Sequence, residues 1–307
     1  MSTDPNQANG AVLCDFCGVE DSTVLFEPGV AQKNRIVRCN RCGLMYANPR
    51  AAVDKDLIAE YVDDPDLDLS KWQPQLFEKQ TTQIHDYAGT RALLREWHPK
   101  RGKLVEVGSS MGLLLKSLRD DGWDVHGVEP DPNACRYATK TFGIPTTAAT
   151  LEGAKLPSGS ADALVMLHVI EHVPSPVETL REVHRVLKPG GTFVLETPRY
   201  DTLMFKLLGR RERSLGCDGH IYFFTNETLR RAVELAGFEC LRHDAVGRSL
   251  TMDRLVYNLG VVSRNRWLQG RLGKLSRTLR LQKLRLHLNF RDMQRVYLRK
   301  PLTRPTG

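Results

Sequence analysis

The sequence predicts an α/β fold in which helices cover both faces of a mostly parallel sheet, preceded by a small cysteine-rich module. Three observations lead to this prediction. A short apolar strand runs into a glycine turn and a Leu-rich helix at 104–118, and a second strand ends on Glu129. Strand and helix patterns then alternate along the chain. Two Cys-x-x-Cys pairs stand near the N-terminus, and 307 residues suit one such domain with a small addition.

The glycine turn is the string EVGSSMG, from Glu106 to Gly112. A strand, a tight turn and a helix place backbone N–H groups at the carboxyl edge of a parallel sheet, where nucleotides bind. A dinucleotide turn would need a further glycine at the position of Ser110. The second strand, Val125–Val128, leads to Glu129, whose carboxylate can accept both hydroxyls of a ribose. Turn and carboxylate together predict a nucleoside site.

The remaining elements follow from hydrophobic periodicity and turn residues. Thr225 is predicted to cap a helix. The predicted helices and strands are a helix at 133–141, a weak strand at 146–151, a strand at 161–167, a helix at 176–187, a turn at 188–191, and then a strand at 192–196, a helix at 226–236 and strands at 238–246 and 292–299.

Four cysteines form the two Cys-x-x-Cys pairs, and a glycine follows each pair: Cys14, Cys17, Cys39 and Cys42. Four thiolates favour a tetrahedral Zn²⁺ ion in a closed structural site. A segment of about 40 residues also lacks the core to fold without such a metal. An unmetallated or redox pair is the alternative, and rubredoxin-like iron would require an electron partner that nothing in the sequence indicates.

The net charge of +8 is unevenly distributed. From Arg254 to the end, 14 Lys and Arg stand against the single acid Asp292, so the rest of the chain has a net charge of −5. Leucines at helical spacing, with basic residues between them, predict a basic amphipathic helix over 266–288 within an insertion at 250–289. Its leucines pack on the parent domain in one interpretation and contact an anionic membrane or a partner in the other. These leucines are Leu268, Leu272, Leu275 and Leu279.

The most specific string is LHVIEHVPSPVETLREVHRVLKPGGTFVLETP, residues 167–198. It resembles the region after the fourth strand in small-molecule class I S-adenosylmethionine (SAM) methyltransferases. With the four cysteines, EVGSSMG and HIYFFTNETLRRAVELAGF, the chain is similar to the zinc-binding group of bacterial SAM methyltransferases. That group is associated with sugar, glycan and secondary-metabolite modification. The resemblance implies a Rossmann-like seven-stranded sheet whose last strand is antiparallel, SAM as cofactor and methyl transfer to oxygen or carbon.

The resemblance also implies a domain organisation. We predict a zinc-binding module at 1–52, a helical substrate cap at 53–100 and a SAM-binding methyltransferase domain at 101–307. In the cap, helices at 53–63 and 75–97 would place Trp72, Phe77 and Tyr87 beside the substrate or in packing roles, and residues 1–10 are expected to be disordered. No apolar run has the length of a bilayer span and the polar N-terminus is no signal peptide, so we expect a cytoplasmic protein, with peripheral membrane contact as an option.

The site residues carried over by the resemblance fall into two sets. His168 is expected beside the transferred methyl, His220 is the preferred general base, and Tyr222 is expected to orient substrate. His220 has a structural role as its alternative, and Glu171 and His172 are expected to tie down their loop. The residues expected to contact SAM are Glu106, Gly108, Ser109, Gly112, Glu129, Leu151, Glu152 and His168.

A metal at the histidine loop is the less favoured interpretation. His168, Glu171 and His172 have metal-like spacing, and some quinone-biosynthesis O-methyltransferases of similar pattern hold a divalent ion near this loop. Here a histidine occupies the first of those positions, so we do not expect that ion.

Three functions compete. The first is a SAM-dependent methyltransferase for a small or carrier-linked metabolite, such as a nucleotide sugar or a glycan. The second is an RNA methyltransferase, suggested by the zinc module and basic tail. We do not expect nucleic acid, because the fourth strand lacks an N/D-P-P-Y string and the basic helix is poor in aromatic residues for stacking. The third is a scaffold that keeps the fold without turnover.

Overall fold

A computed structural model of the chain describes residues 12–29, 34–49, 63–64, 78, 81–212, 215, 219–263, 266–281 and 284–302. Several predictions concern positions outside these ranges. They are the predicted disorder of residues 1–10, residues 53–62 of the helix at 53–63, residues 75–77 and 79–80 of the helix at 75–97, and the roles of Trp72 and Phe77.

A seven-stranded sheet forms the centre of the fold, in the order β6-β5-β4-β7-β8-β11-β10. The inner strands pair in parallel, and β11 runs antiparallel between β8 and β10, as the sequence predicts. Parallel strands end at a common edge, which brings the loops after β4, β5 and β7 together. The strands are β4 Lys103–Val107, β5 Asp124–Glu129, β6 Thr146–Ala148, β7 Ala161–Leu167, β8 Leu187–Pro198, β10 Glu239–Thr251 and β11 Arg285–Arg299.

Helices cover the sheet, and most of them begin at side-chain caps that the sequence supplies. Asp131, Ser175 and Thr225 each accept a backbone N–H bond at a helix start, and Thr225 forms a capping box with Thr228. The predicted cap at Thr225 is therefore confirmed. The helices are α1 Ala88–Trp97, α2 Leu113–Asp120, α3 Pro132–Phe142, α4 Pro176–Val186, α5 Leu203–Leu208, α6 Asn226–Leu235, α7 Met252–Ser263 and α8 Arg266–Thr278.

Several predicted boundaries are wrong. β6 ends at Ala148 because Thr150 caps a turn, accepting the Gly153 N–H bond at 3.1 Å. The predicted turn at 188–191 lies within β8, where a bulge separates the pairs Ala161–Leu187 and Ala163–Thr192. This segment stays in the sheet because the Gly190 N–H donates to the Lys300 carbonyl and the Lys300 N–H donates to the Gly191 carbonyl.

The insertion also differs from its prediction. β10 and β11 pair from Glu239–Arg299 out to Thr251–Arg285, so the helical insertion starts only at Met252. The basic helix ends at Thr278, and 285–288 belong to β11. Leu275 and Leu279 are 54% and 55% exposed, so more than half of the surface of each leucine faces solvent. Within the described part of the chain, no helix is long and apolar enough to cross a membrane.

A second sheet joins the cysteine segment to the body of the fold. Its strands are β1 Ser22–Phe26, β2 Ile36–Cys39, β3 Met45–Ala47 and β9 Tyr222–Phe223, in that order. β9 comes from the other end of the chain and pairs antiparallel with β3. Tyr46 and Tyr222 are fully buried at this junction, in the same core cluster as the β4 and β7 residues. The two parts of the molecule thus share one core.

Candidate active site

The glycine turn follows β4 and lies at the carboxyl edge of the sheet. Gly108 and Gly112 adopt φ angles of 72° and 74°, which suit glycine. The Gly108 N–H donates to the Val128 carbonyl at 2.8 Å, and this ties the turn to β5. A Cβ on Gly108 would lie 2.2 Å from Val169 Cγ2. The turn therefore touches the loop after β7, which carries the histidines.

Two buried carboxyl groups flank this turn. Glu106 and Glu129 are 5% and 8% exposed. Glu129 Oε2 accepts from the Ser110 N–H at 2.8 Å and Oε1 accepts from the Asp131 N–H at 3.0 Å. Among the described residues, Glu106 Oε2 has no hydrogen-bond partner. Burial and the neighbouring Glu129 raise the pKa of Glu106 well above its usual value, and burial raises the pKa of Glu129.

The structure places the other predicted cofactor residues unevenly. Ser109 is 5% exposed and lies in the turn, and its Oγ has no hydrogen-bond partner within the described ranges. Leu151 is only 2% exposed and packs in the core cluster. Glu152 Oε1 accepts from Thr179 Oγ1 of α4 at 2.7 Å. The structure thus brings the turn and Glu129 together, whereas Leu151 and Glu152 are occupied with packing and with α4.

A second polar cluster surrounds Glu171, which is completely buried. Ligand atoms of Glu171, His172 and His220 lie within 4.8 Å of one another, and the two imidazole rings meet edge to face at 4.6 Å. Glu171 Oε2 accepts from Thr197 Oγ1 at 2.9 Å. Burial would raise the pKa of Glu171, but His168, His172 and His220 outweigh it and lower that pKa to about 2. The cluster is built around an ionised carboxylate.

His168 lies between two carboxylates. It has a φ of 58°, and its Nδ1 is 3.7 Å from Glu171 Oε1 and its Nε2 3.3 Å from Glu196 Oε1. Burial lowers the pKa of His168, yet Glu171 and Glu196 outweigh it and raise that pKa. Arg295 completes the chain of charges with a contact of 2.5 Å to Glu196. His168 is therefore held towards its protonated form and is poorly suited to accept a proton.

His220 stands at the edge of this cluster. Its Nδ1 lies 3.4 Å from the hydroxyl of Tyr200, and its side chain is only partly buried. Tyr222, by contrast, is fully buried, and its hydroxyl donates to the Pro174 carbonyl at 3.1 Å. This hydrogen bond fixes the loop after β7, and the role of Tyr222 in orienting substrate stays a prediction. The structure puts Tyr200 beside His220.

Sequence reasoning did not place three residues of this cluster in the site: Tyr200, Glu196 and Arg295. It gave Glu171 and His172 a role in their loop and, as the less favoured interpretation, in a metal site. Glu196 lies in β8 and Arg295 in β11, and each is 4% exposed, so each buried charge needs a partner. The signal available in the sequence was a charged residue within each of two predicted strands, at 192–196 and 292–299.

The four predicted thiolates converge. Cys14 Sγ is 3.3 Å from Cys42 Sγ, Cys17 Sγ is 3.5 Å from Cys39 Sγ, and all four lie within 4.8 Å of one another. Gly18 and Gly43 donate N–H bonds back to Cys14 and Cys39, which closes both turns around the sulfurs.

The thiol pKa values differ within this set. Burial raises the pKa of Cys42 to about 11. In Cys39 the effect of burial is outweighed by N–H bonds from residues 42 and 41, which lower the pKa to about 7. The donor set and its spacing fit a tetrahedral zinc ion.

Comparison with known proteins agrees with this geometry. The model of the methyltransferase-domain family matches residues 77–243, which is more than half of the chain. The chain therefore belongs to the methyltransferase-domain family, and its sheet is the class I fold of SAM-dependent methyltransferases. The predictions of family and fold class are confirmed.

Individual relatives cover a shorter stretch. An uncharacterized methyltransferase of Mycobacterium tuberculosis is 38% identical over 95 residues, which are 30% of this chain and 37% of that protein. One of Mycobacterium ulcerans is 34% identical over 118 residues, 35% of this chain and 46% of that protein. The chain thus spans less than half the length of these curated relatives. A chain from the complex containing the Haloferax volcanii Trm112 methyltransferase activator superposes with a TM-score of 0.55 at 16% identity, covering 76% of this chain and 96% of that one.

Proposed function

We propose that this protein transfers a methyl group from SAM to an acceptor held against the Glu171 cluster. The observation that carries the proposal is the contact between the two halves of the site. Val169 lies against Gly108 of the glycine turn and is two residues from Glu171. A ligand beside the turn and an acceptor beside the histidines would meet at this point, and holding them together is the main task in methyl transfer.

The cofactor side fits SAM by charge and by hydrogen bonding. Neither Glu106 nor Glu129 has a Lys or Arg ion-pair partner among the residues that the structure describes. SAM carries positive charge that would stabilise both carboxylates, and it supplies an electrophilic methyl on a sulfonium. Each Glu129 oxygen accepts one backbone N–H bond and keeps a lone pair for a ribose hydroxyl. Glu106 and Ser109 offer the unpartnered polar atoms that would line the same pocket.

On the acceptor side, His220 is the proposed proton acceptor. It is partly exposed, next to the Tyr200 hydroxyl, and near the ionised Glu171 that would stabilise an imidazolium. In this step the acceptor atom would form a bond to the methyl carbon while the carbon–sulfur bond of the sulfonium breaks and leaves the neutral thioether, and His220 would take the acceptor proton. His168 is the proposed positive group beside the acceptor, because its raised pKa favours the protonated ring while Glu171 and Glu196 face its two nitrogens.

A divalent ion at Glu171, His172 and His220 is the second candidate for this cluster, since the three donors are within 4.8 Å. We favour proton transfer because the local charges already balance. His168 and Arg295 stand opposite Glu171 and Glu196. A divalent ion would place additional positive charge beside His168. Methyl transfer that survives removal of added divalent ions, at unchanged cysteine-bound zinc, would support the proton-transfer proposal.

For the four-cysteine site we propose structural zinc. All four sulfurs are used, so no position is left for substrate. One zinc per chain is expected by elemental analysis, and Cys14→Ser is expected to lose both the metal and the ordered module. A fully folded, metal-loaded Cys14→Ser protein would contradict this.

The acceptor is proposed to be small or carrier-linked, with the basic insertion binding its anionic carrier or an anionic membrane surface. α8 exposes Trp267 at 67% and Leu275 at 54%, and Arg271 lies over the Trp267 ring at 4.8 Å. Salt-sensitive co-sedimentation with anionic liposomes would support the membrane version. If the protein did not co-sediment at low salt, binding of an anionic carrier would be the only proposed role left for the basic insertion.

The decisive experiment combines binding with labelling. Calorimetry should show that SAM and its demethylated product bind the wild-type protein, and Glu129→Ala should weaken both. Metabolite profiling with an isotopically labelled methyl donor should then reveal an acceptor labelled by the wild type and not by Glu129→Ala. Binding without any labelled product would indicate a methyltransferase fold that acts as a scaffold, and absence of binding would remove the proposal.

A further inference from the structure

The cysteine module reaches the candidate active site through Asp15, which lies between the thiols Cys14 and Cys17. The Asp15 carboxylate extends to the start of α4. Its Oδ1 accepts from Ser175 Oγ at 2.6 Å, and its Oδ2 accepts from the Val177 N–H at 3.0 Å. Asp15 thus holds the N-terminal end of a helix more than half the chain away, where a negative charge is favourable.

A second connection runs through β9. The Ala47 N–H of β3 donates to the Ile221 carbonyl at 2.9 Å, next to His220. The Ile221 and Tyr222 N–H groups both donate to the Glu171 carbonyl, at 2.9 and 3.1 Å. The segment with His220 is therefore held between the cysteine module on one side and the loop with Glu171 on the other.

Both connections end on the acceptor half of the site. Ser175 closes the loop that carries Glu171 and His172, and β9 fixes His220. The bonds recorded for Glu129 come from Ser110 and Asp131, which belong to the main sheet domain. Metal held by the four cysteines would fix the turn at Asp15 from both sides, since Cys14 and Cys17 flank it.

We propose that Asp15 is a positioning residue, through which the metal-bound cysteine module sets the geometry of Glu171, His172 and His220 while leaving the cofactor half unaffected. The inference rests on the proposed function in so far as these three residues face the acceptor. It gives the module a role in the reaction: loss of the metal releases the acceptor half of the site before it disturbs the SAM half.

The test compares Asp15→Asn with Asp21→Asn in the full chain. Asparagine at position 15 removes the carboxylate charge and one of the two acceptor oxygens, so the bonds to Ser175 and Val177 both lose their charge assistance. Asp21 lies in the same module and accepts from Asn40 Nδ2 at 2.7 Å, a contact that remains within the module. Both variants should retain one zinc per chain.

Two readouts require no acceptor. In Asp15→Asn, amide exchange at Val177 should be about tenfold faster, the change expected when a charge-assisted hydrogen bond of ~1.4 kcal/mol is lost. The ring NMR signals of His172 and His220 should also shift. Affinity for SAM should stay within about twofold of the wild-type value. That is a smaller change in binding free energy than the ~1.4 kcal/mol that corresponds to tenfold. Asp21→Asn should change neither readout.

Removal of the metal by a chelator should give the same pattern in the wild-type protein: shifted His172 and His220 signals and retained SAM affinity. The proposal is overturned if Asp15→Asn moves these signals no more than Asp21→Asn does. It is equally overturned if metal loss abolishes SAM binding together with the ring signals, since the module would then be a general stabiliser. A wild-type protein that never binds SAM would contradict the proposed function and would leave the exchange and ring measurements interpretable.

Discussion

The two halves of the candidate site are built in opposite ways. The cofactor half comes from one short stretch, Glu106 to Glu129, and it leaves two buried carboxyl groups without basic partners among the described residues. The acceptor half assembles Glu171, Glu196 and Arg295 with three histidines from separate segments, and its charges are balanced. A region with unbalanced charge is prepared for a charged ligand, whereas a balanced network holds its own geometry. Four predictions can break or sharpen this comparison.

The largest effect is expected at the contact between the halves. Gly108→Ala introduces a Cβ 2.2 Å from Val169 Cγ2 at a φ of 72°. The turn or the loop must move, so the rise in melting temperature caused by SAM should disappear. Gly159→Ala is the matched control, with a φ of 60° and nothing within 4 Å. It should cost only the ~1–2 kcal/mol of a left-handed residue and keep the SAM shift. A normal SAM shift in Gly108→Ala would place the cofactor elsewhere.

Next comes the centre of the acceptor half. Glu171→Gln removes the charge that faces three imidazoles, so labelled methyl transfer should fall by about 10²-fold or more, the range of general acid–base effects. SAM affinity should be unchanged, because Glu171 is not part of the cofactor half. Glu178→Gln, on the exposed face of α4, should leave both unchanged. A Glu171→Gln protein that binds SAM poorly would show that the two halves are not separate.

Protonation in acid should lower the stability that the acceptor half contributes and raise the stability that the cofactor half contributes. Glu171 and Glu196 have a pKa of about 2 in the folded protein, below the usual 4.5, so their contribution to stability is present above about pH 4.5 and is lost as the pH falls towards 2. Glu106 has a raised pKa, so its protonation in acid favours the folded state. Urea unfolding at a series of pH values should show stability declining below pH 4.5, and a flatter decline in Glu171→Gln. If the free energy of unfolding of that variant fell with pH as steeply as that of the wild type, Glu171 would not contribute to the loss of stability in acid.

The smallest effect separates two tyrosines. Tyr222→Phe removes the bond to the Pro174 carbonyl and should lower the free energy of unfolding by about 1 kcal/mol with little change in turnover. Tyr200→Phe removes the hydroxyl next to His220 and should change the pH profile of methyl transfer instead. If Tyr222→Phe lost turnover at normal stability, the result would support the predicted role of Tyr222 in orienting substrate.

The same contrast explains what the sequence could predict. The glycine turn, Glu129 and the cysteine pairs are short-range patterns, in which residue type and spacing are sufficient. The succession of strands along the chain followed from periodicity, and the antiparallel last strand followed from the resemblance. The structure contains these features and differs from the predictions mainly in where helices and strands begin and end.

The acceptor half was less accessible, because its residues meet only through tertiary structure. Arg295 reaches Glu196 only because β11 inserts beside β8, and the pairing places the two residues opposite each other. Tyr222 looked like a site residue by its closeness to His220 in sequence. In the structure, the alternation along β9 buries its ring and leaves its hydroxyl for Pro174.

The pairing of β3 with β9 has a consequence for biosynthesis. The cysteine segment is synthesised well before the strand that completes its sheet, Tyr222–Phe223, because that strand follows β8 in the chain. Until then the edge of β3 has open backbone groups, a surface that invites pairing with other chains. The sheet of the cysteine segment is consequently completed late, and a chaperone or an early metal ion would protect the segment most while β9 is still being synthesised.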